Sequence, residues 1–192
     1  MEQLKYAIRQ MIEITDTELN YLLAEVQVKH YHKKAAVSVP GTVPNHIYFI
    51  NSGTLRLIIT DNAGNEHTTH FAIENQFVAD YSAFMLQQTS VYTLQAIEDT
   101  EVCIIPRAAI EWGYQNLKQG DRLGRIIAEY YFVYQDNRIK NMYARTPKER
   151  YDLMADIFPG IHNRAPQHMI ASYLGITPIH LSRLKKQAAG KL

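Results

Sequence analysis

Residues 167–186 read QHMIASYLGITPIHLSRLKK, two short helical patterns joined by Gly175 and by Thr177-Pro178. Helix-turn-helix geometry accounts for residue type at each position where sterics dictate one. Gln167 begins the first helix, and Ala171 falls where two helices cross, which needs a small side chain. Gly175 takes the turn, where a left-handed φ costs little only without a Cβ. Ile170, Leu174, Ile176, Leu181 and Leu184 are the apolar positions that join the two helices, while Thr177 caps the second and Pro178 starts it. Ile179, His180, Ser182, Arg183, Lys185 and Lys186 turn outward, a face with three lysine or arginine side chains and no carboxylate.

The charge distribution agrees with that face. The net charge is +1, yet residues 140–192 carry 9 Lys/Arg against 3 Asp/Glu, and residues 1–139 carry 11 against 16. A localised positive end suits a polyanion. A helix of this kind enters the major groove of double-stranded DNA, with its N-terminal residues at base edges and its basic residues at phosphates. The candidate DNA-contacting set is the six outward residues with Gln167 and Thr177 at the two helix starts.

Upstream, Thr146, Pro147 and Glu149 form a capping box that opens a helix carrying Tyr151, Leu153, Met154 and Ile157. Before it, nothing breaks a helix from Asp121 to Tyr143. Its apolar stripe of Leu123, Ile126, Ile127, Tyr130, Tyr131, Val133 and Tyr134 is too wide for one neighbouring sheet. A helix roughly 30 Å long projecting from a small domain is expected to pair with its twin in a homodimer. Tyr130 and Tyr134 are also placed to line a ligand cavity where this helix meets the rest of the chain.

Between Val26 and Pro106 the hydrophobic period is two: VQVKHYHKK, HIYFINSG, TLRLIIT, EHTTHFAI, VYTLQAI and EVCIIP are short strand patterns punctuated by PGTVPN, NSG and DNAGN. In TLRLIIT, Leu55, Leu57 and Ile59 share one face. Many short antiparallel strands at this spacing predict a compact barrel or jelly roll. Residues 1–25 read as helical with a second start at Thr15 or Asp16. The fold class is therefore α+β, in three parts: a β-roll domain over 1–115, a central helix over 116–143 and an all-α helix-turn-helix domain over 144–192. Only Gln187–Leu192 follow Lys186, too few for a full β-hairpin wing.

The 192 residues are 46% hydrophobic, enough for a sizeable core. No run of eighteen apolar residues and no basic-then-apolar start occurs, so no membrane partner or export is expected and the cytoplasm is the expected compartment. The single Cys103 lies in an apolar run, which excludes an internal disulfide and a cysteine-ligated cluster. No nucleophile elbow or phosphate loop is present, so no enzyme is indicated.

The order β-roll, long helix, capped helix, helix-turn-helix resembles the Crp/Fnr family of transcription regulators over essentially the whole chain. The stretches NSGTLRLIITDNAGNEHTTHFAIENQFVADYSAF, LQAIEDTEVCII, ERYDLM and IASYLGITPIHLSR are similar to short Bacteroidetes-type members. The resemblance implies a cyclic-nucleotide-binding-like sensor domain, dimerisation through the central helix and sequence-specific DNA binding, with RNA polymerase as a possible further partner. It places the ribose-binding turn of the family near Val78-Ala79-Asp80 and the phosphate-binding pair at Ser90-Val91, where the arginine of the family is absent. Gln135 and Asp136 match the positions that meet the base.

A buried phosphate without a charge-assisted partner is costly, so cyclic AMP in the usual mode is not expected and no cofactor is assigned. Eight histidines are available to a haem, none marked by context. At the recognition helix, Ile179 stands where familiar members carry a Glu-bearing segment, and Arg183 is the best base or phosphate contact. Two rival readings remain. One is a cupin-like metalloprotein, since His30 and His32 share a strand face and His46, His67 and His70 lie in other strands. The other is a sensor or interaction module without DNA activity.

Overall fold

The computed structural model describes residues 1–189, with side chains to Lys186. Two helices, α1 (Glu2–Met11) and α2 (Asp16–Leu22), precede the strands, and Thr15 and Glu18 form a reciprocal capping box at the start of α2. The strands are β1 (Gln27–Tyr31), β2 (Ala36–Ser38), β3 (His46–Ser52), β4 (Leu55–Thr60), β5 (Glu66–Ala72) and β6 (Phe77–Val78). A short helix α3 (Tyr81–Leu86) is followed by β7 (Tyr92–Ala96) and β8 (Thr100–Pro106). They form two antiparallel four-stranded sheets, ordered β1-β8-β3-β6 and β2-β7-β4-β5, that face each other as a jelly roll.

The central strands β3 and β4 are buried on both faces, which is why the run at residues 47–50 is continuously apolar. Tyr48 and Ile50 turn inward to meet Leu55, Leu57 and Leu94, while Phe49 turns outward to a core built with Leu4, Ile8, Leu19 and Leu22. On the second sheet the outward-facing Phe71 and Ile73 pack against Met154, Phe158 and Ile161 of the C-terminal helices. The single inward face expected for β4 is thus only half of its burial. Leu55 and Leu57 are buried and Ile59 is half-buried, but Arg56 and Ile58 on the other face are buried too. Phe71, opposite Arg56 in the ladder, carries the C-terminal helices over that face.

Helix α4 (Arg107–Asn116) leads into the 25-residue α5 (Gly120–Ala144). Leu123 packs on the N-terminal helices, whereas Tyr130, Phe132, Val133, Ile139 and Tyr143 are exposed. The capping box of Thr146 and Glu149 opens α6 (Pro147–Ile157), and α7 (Ile161–Arg164), α8 (Gln167–Leu174) and α9 (Pro178–Ala189) complete the C-terminal unit. The expectation of a trimmed wing concerns residues that fall largely outside the described ones. Among the described residues no helix is long and apolar enough to cross a membrane.

Candidate nucleic-acid interface and sensor cavity

In the helix-turn-helix unit Ala171 is fully buried at the crossing, and Gly175 adopts φ 67°. The Ile176 amide donates to the Ala171 carbonyl, the His180 amide to Thr177 Oγ1 at 3.2 Å, and the Leu181 amide to the Thr177 carbonyl at 3.0 Å. Ile170, Leu174 and Leu181 are buried; Ile176 and Leu184 are half-buried. Of the eight expected contact residues, Gln167, Thr177, Ile179, His180, Ser182, Arg183 and Lys186 are exposed and Lys185 is half-buried. Ile179 stands 67% exposed, an apolar side chain at the tip of a polar helix.

Two arginines outside the expected set hold this unit on α5 and α6. Arg150 donates from Nε and Nη2 to the Leu174 carbonyl (3.2 and 2.9 Å) and from Nη1 to the Arg145 and Met142 carbonyls (2.7 and 3.4 Å). Arg138 lies 4.0 Å over the Tyr173 ring and donates to the Tyr173 carbonyl at 3.2 Å. Both guanidinium groups thus cap the C-terminal carbonyls of α8, where the helix dipole favours a cation. A Cβ on Gly175 would lie 2.6 Å from the Met142 methyl, so this glycine serves the packing of α5 as well as the turn.

The roll grips the same unit from the other side. Arg164 donates to Glu74 (2.7 and 2.8 Å) and Glu98 (2.6 and 2.9 Å), and the Thr68 amide donates to Ser172 Oγ at 2.8 Å. At the junction His70 is 7% exposed, with its ring 4.5 Å from Tyr134 and 5.7 Å from Phe158 between centroids. Its Nδ1 has no hydrogen-bond partner. Burial, and then the charge of Arg138, depress its pKa to about 3, so it is neutral. The Tyr134 hydroxyl meets the Tyr173 hydroxyl at 3.1 Å, and burial together with Tyr173 pushes its pKa well above the ordinary value.

The nine residues expected at an effector pocket separate. Ala79, Asp80 and Ser90 line one cavity of about 250 Å³ together with His46 and Tyr48. Val78 and Tyr130 line a second, of about 230 Å³, between roll and α5. Tyr134, with Tyr130 again, lines a third, beside α6. Val91 is exposed, Gln135 is half-buried on α5, and Asp136 pairs with Lys140 one helical turn away.

Asp80 itself is committed within the protein. Its carboxylate caps α3, accepting from the Ala83 amide (3.2 Å) and Ser82 Oγ (3.0 Å), and accepts from Ser90 Oγ at 2.7 Å. The cavity is therefore lined by a carboxylate already hydrogen-bonded within the chain. Within that cavity burial lowers the pKa of His46, and burial with Tyr31 raises that of Tyr48 to about 12.

The histidines of the metalloprotein reading do not converge. His30 Nε2 lies 3.0 Å from Glu101, His32 Nδ1 lies 3.6 Å from Asp99, and exposed His67 pairs with Asp61 at 2.9 Å, while His70 is buried at the junction. Among the described residues no group of three His, Cys, Asp or Glu is arranged to hold a metal ion.

Comparison with known proteins supplies the class. Residues 28–116 match the family described as the cyclic nucleotide-binding domain. The chain is similar to the structure of FixK2 from Bradyrhizobium japonicum (15% identity, 86% of this chain and 85% of that one, TM-score 0.75). It is also similar to the c-di-GMP-responsive global regulator CLP of Xanthomonas campestris (14% identity, 92% and 93% covered, TM-score 0.70). A Crp/Fnr-family protein from Eubacterium rectale matches at 14% identity over 93% of this chain and 85% of its own, with a TM-score of 0.70. No curated protein sequence matches. The roll is thus similar to the cyclic nucleotide-binding domain family, and the chain as a whole has the fold seen in structures of Crp/Fnr regulators.

Proposed function

We propose that this protein is a transcription regulator that binds a pseudo-palindromic DNA site as a homodimer, paired along α5. The observation that carries the reading is the outward face of α9, where Arg183 and Lys186 stand with Ser182 and His180 and no carboxylate. Arg183 is the proposed base or phosphate contact, with Gln167 and Thr177 at the helix starts beside the backbone and Ile179 against thymine methyl groups. The exposed strip of Tyr130, Val133 and Ile139 supports pairing through α5, as does its length. Paired recognition helices then meet half-sites about 34 Å apart.

The sensor role falls to the roll cavity at Asp80 and Ser90. The Asp80 carboxylate and the missing arginine argue against cyclic AMP in the usual mode. The cytoplasm is the compartment that fits a DNA-binding regulator, and RNA polymerase is the further partner if the output is activation.

The test is selection from a random duplex DNA pool with the full-length protein at near-physiological salt. Enrichment of a two-fold symmetric site is the expected result. No enrichment, with and without cell metabolite extract, would replace this reading with an interaction module that uses the exposed Ile179 for protein contacts.

A further inference from the structure

The third cavity, about 340 Å³, lies outside the roll, between α5, α6 and the end of α8. That volume sits at the lower end of the range of small-molecule sites, roughly 300–1,000 Å³. Its apolar lining is Val133 from α5 with Leu153, Met154 and Ile157 from α6, and its basic lining is Arg138 from α5 and Arg150 from α6.

These guanidinium groups have an unusual charge environment. Among the described residues neither forms an ion pair; their partners are backbone carbonyls at the end of α8 and of α5. Arg150 spends Nε, Nη1 and Nη2 on those carbonyls, whereas Arg138 commits only Nη2 and keeps Nε and Nη1 unused. Burial and the charge of Arg138 both lower the pKa of Arg150, so the two cations repel each other. Asp156 is the one carboxylate in the lining. An anion entering the cavity relieves the repulsion and takes up the free donors of Arg138, whose plane is already fixed over Tyr173.

We infer that this cavity binds a small amphipathic organic anion, a carboxylate with an aromatic or alkyl body. The carboxylate meets the free edge of Arg138, and the body packs on Leu153, Met154 and Ile157 of α6. Because its walls come from the central helix on one side and the DNA-binding unit on the other, such a ligand joins the two and fixes their angle. The site is separate from the roll cavity and stands whether or not the chain binds DNA.

The probe is 2-naphthoate, titrated against the full-length chain in the oligomeric state it adopts, by calorimetry and thermal shift. Saturable binding with a rise in melting temperature is expected. Arg138→Gln should weaken it about tenfold or more, the loss of a charge-assisted hydrogen bond, and Ile157→Trp should abolish it by filling the cavity. Ile157→Trp leaves both arginines in place, so it tests the site even if Arg138→Gln fails to fold. The uncharged 2-naphthamide should bind at least tenfold more weakly than the carboxylate. No saturable binding at millimolar probe, or binding that survives both substitutions, overturns the inference. DNA binding without probe binding sinks this site alone, and probe binding without DNA binding sinks the regulator reading alone.

Discussion

Arg164 is the sharpest single test of how the helix-turn-helix unit is held to the roll. Its guanidinium makes four hydrogen bonds of 2.6–2.9 Å to Glu74 and Glu98, across 90 and 66 residues of chain. The side chains are 23% (Arg164), 33% (Glu74) and 32% (Glu98) exposed. Removing one partner of a fully buried pair costs about 3–5 kcal/mol, and an exposed pair contributes about 0–1 kcal/mol. A site a quarter to a third exposed falls between, so Arg164→Met should destabilise by about 2–3 kcal/mol. Much of that cost is repulsion between two carboxylates left facing each other. In a Glu74→Gln, Glu98→Gln background the same substitution should therefore cost less than half as much. Urea unfolding of the four proteins of this double-mutant cycle measures the difference. A cost below about 0.5 kcal/mol, or an equal cost in both backgrounds, would refute the reasoning. The pH dependence has a definite sign. Burial pushes the Glu74 pKa up, but hydrogen bonds from Arg164 and the Gly53 amide outweigh it and leave it below 4.5. Its contribution is present above pH 4.5 and is lost as pH falls through the folded value.

Other outcomes follow from the same coordinates. His70 is neutral when folded, with a pKa of about 3 against 6.5 unfolded, so stability should fall as pH drops from 6.5 toward 3 because the unfolded chain takes up a proton that the folded one refuses. His70→Phe should flatten that dependence in urea titrations at pH 7.5 and 5; an unchanged slope would remove His70 as its source. Arg183→Ala should weaken specific DNA binding by about 1–3 kcal/mol in a fluorescence anisotropy titration, and unchanged affinity would take Arg183 out of the interface. Cyclic AMP should leave the melting temperature unmoved, since Asp80 holds the cavity's anion position; a saturable upshift would contradict this.

What the sequence revealed and what it hid divide along a physical line. The helix-turn-helix, the capping box at Thr146 and the long α5 were legible because local sterics dictate residue type: a glycine at positive φ, a hydroxyl at an N-cap, a small residue at a crossing. The two-residue β6 and three-residue β2 have too few positions for a period to show. Helix α3 was missed although Asp80, two residues before Ser82, carries the signal of an N-cap. The contacts that join the modules have no local signature at all. Arg164 with Glu74, or Arg150 with the Leu174 carbonyl, pair residues 90 and 24 apart in the chain, and nothing in the spacing of charges distinguishes these arginines from those on the surface.

The two attachments of the helix-turn-helix unit differ in their charged contacts. Toward the roll it is held by the ion pairs of Arg164, by a hydrogen bond from the Thr68 amide to Ser172 and by Phe71, Ile73 and Ile97 packed on Met154, Phe158 and Ile161, alongside a neutral His70 that loses its place on protonation. Toward α5 it is held by Arg150 on the Met142 and Arg145 carbonyls, by Arg138 on the Tyr173 carbonyl and ring, and by Met142 packed on Gly175. The α5 contacts carry no carboxylate to protonate, and the Met142 contact with Gly175 is insensitive to salt. Added salt or acid therefore weakens the ion pairs on the roll side and leaves its apolar contact in place. Were that contact also released, α6–α9 would pivot about the end of α5. In a dimer paired along α5 such a pivot changes the separation of the two α9 helices, the quantity a palindromic site reads.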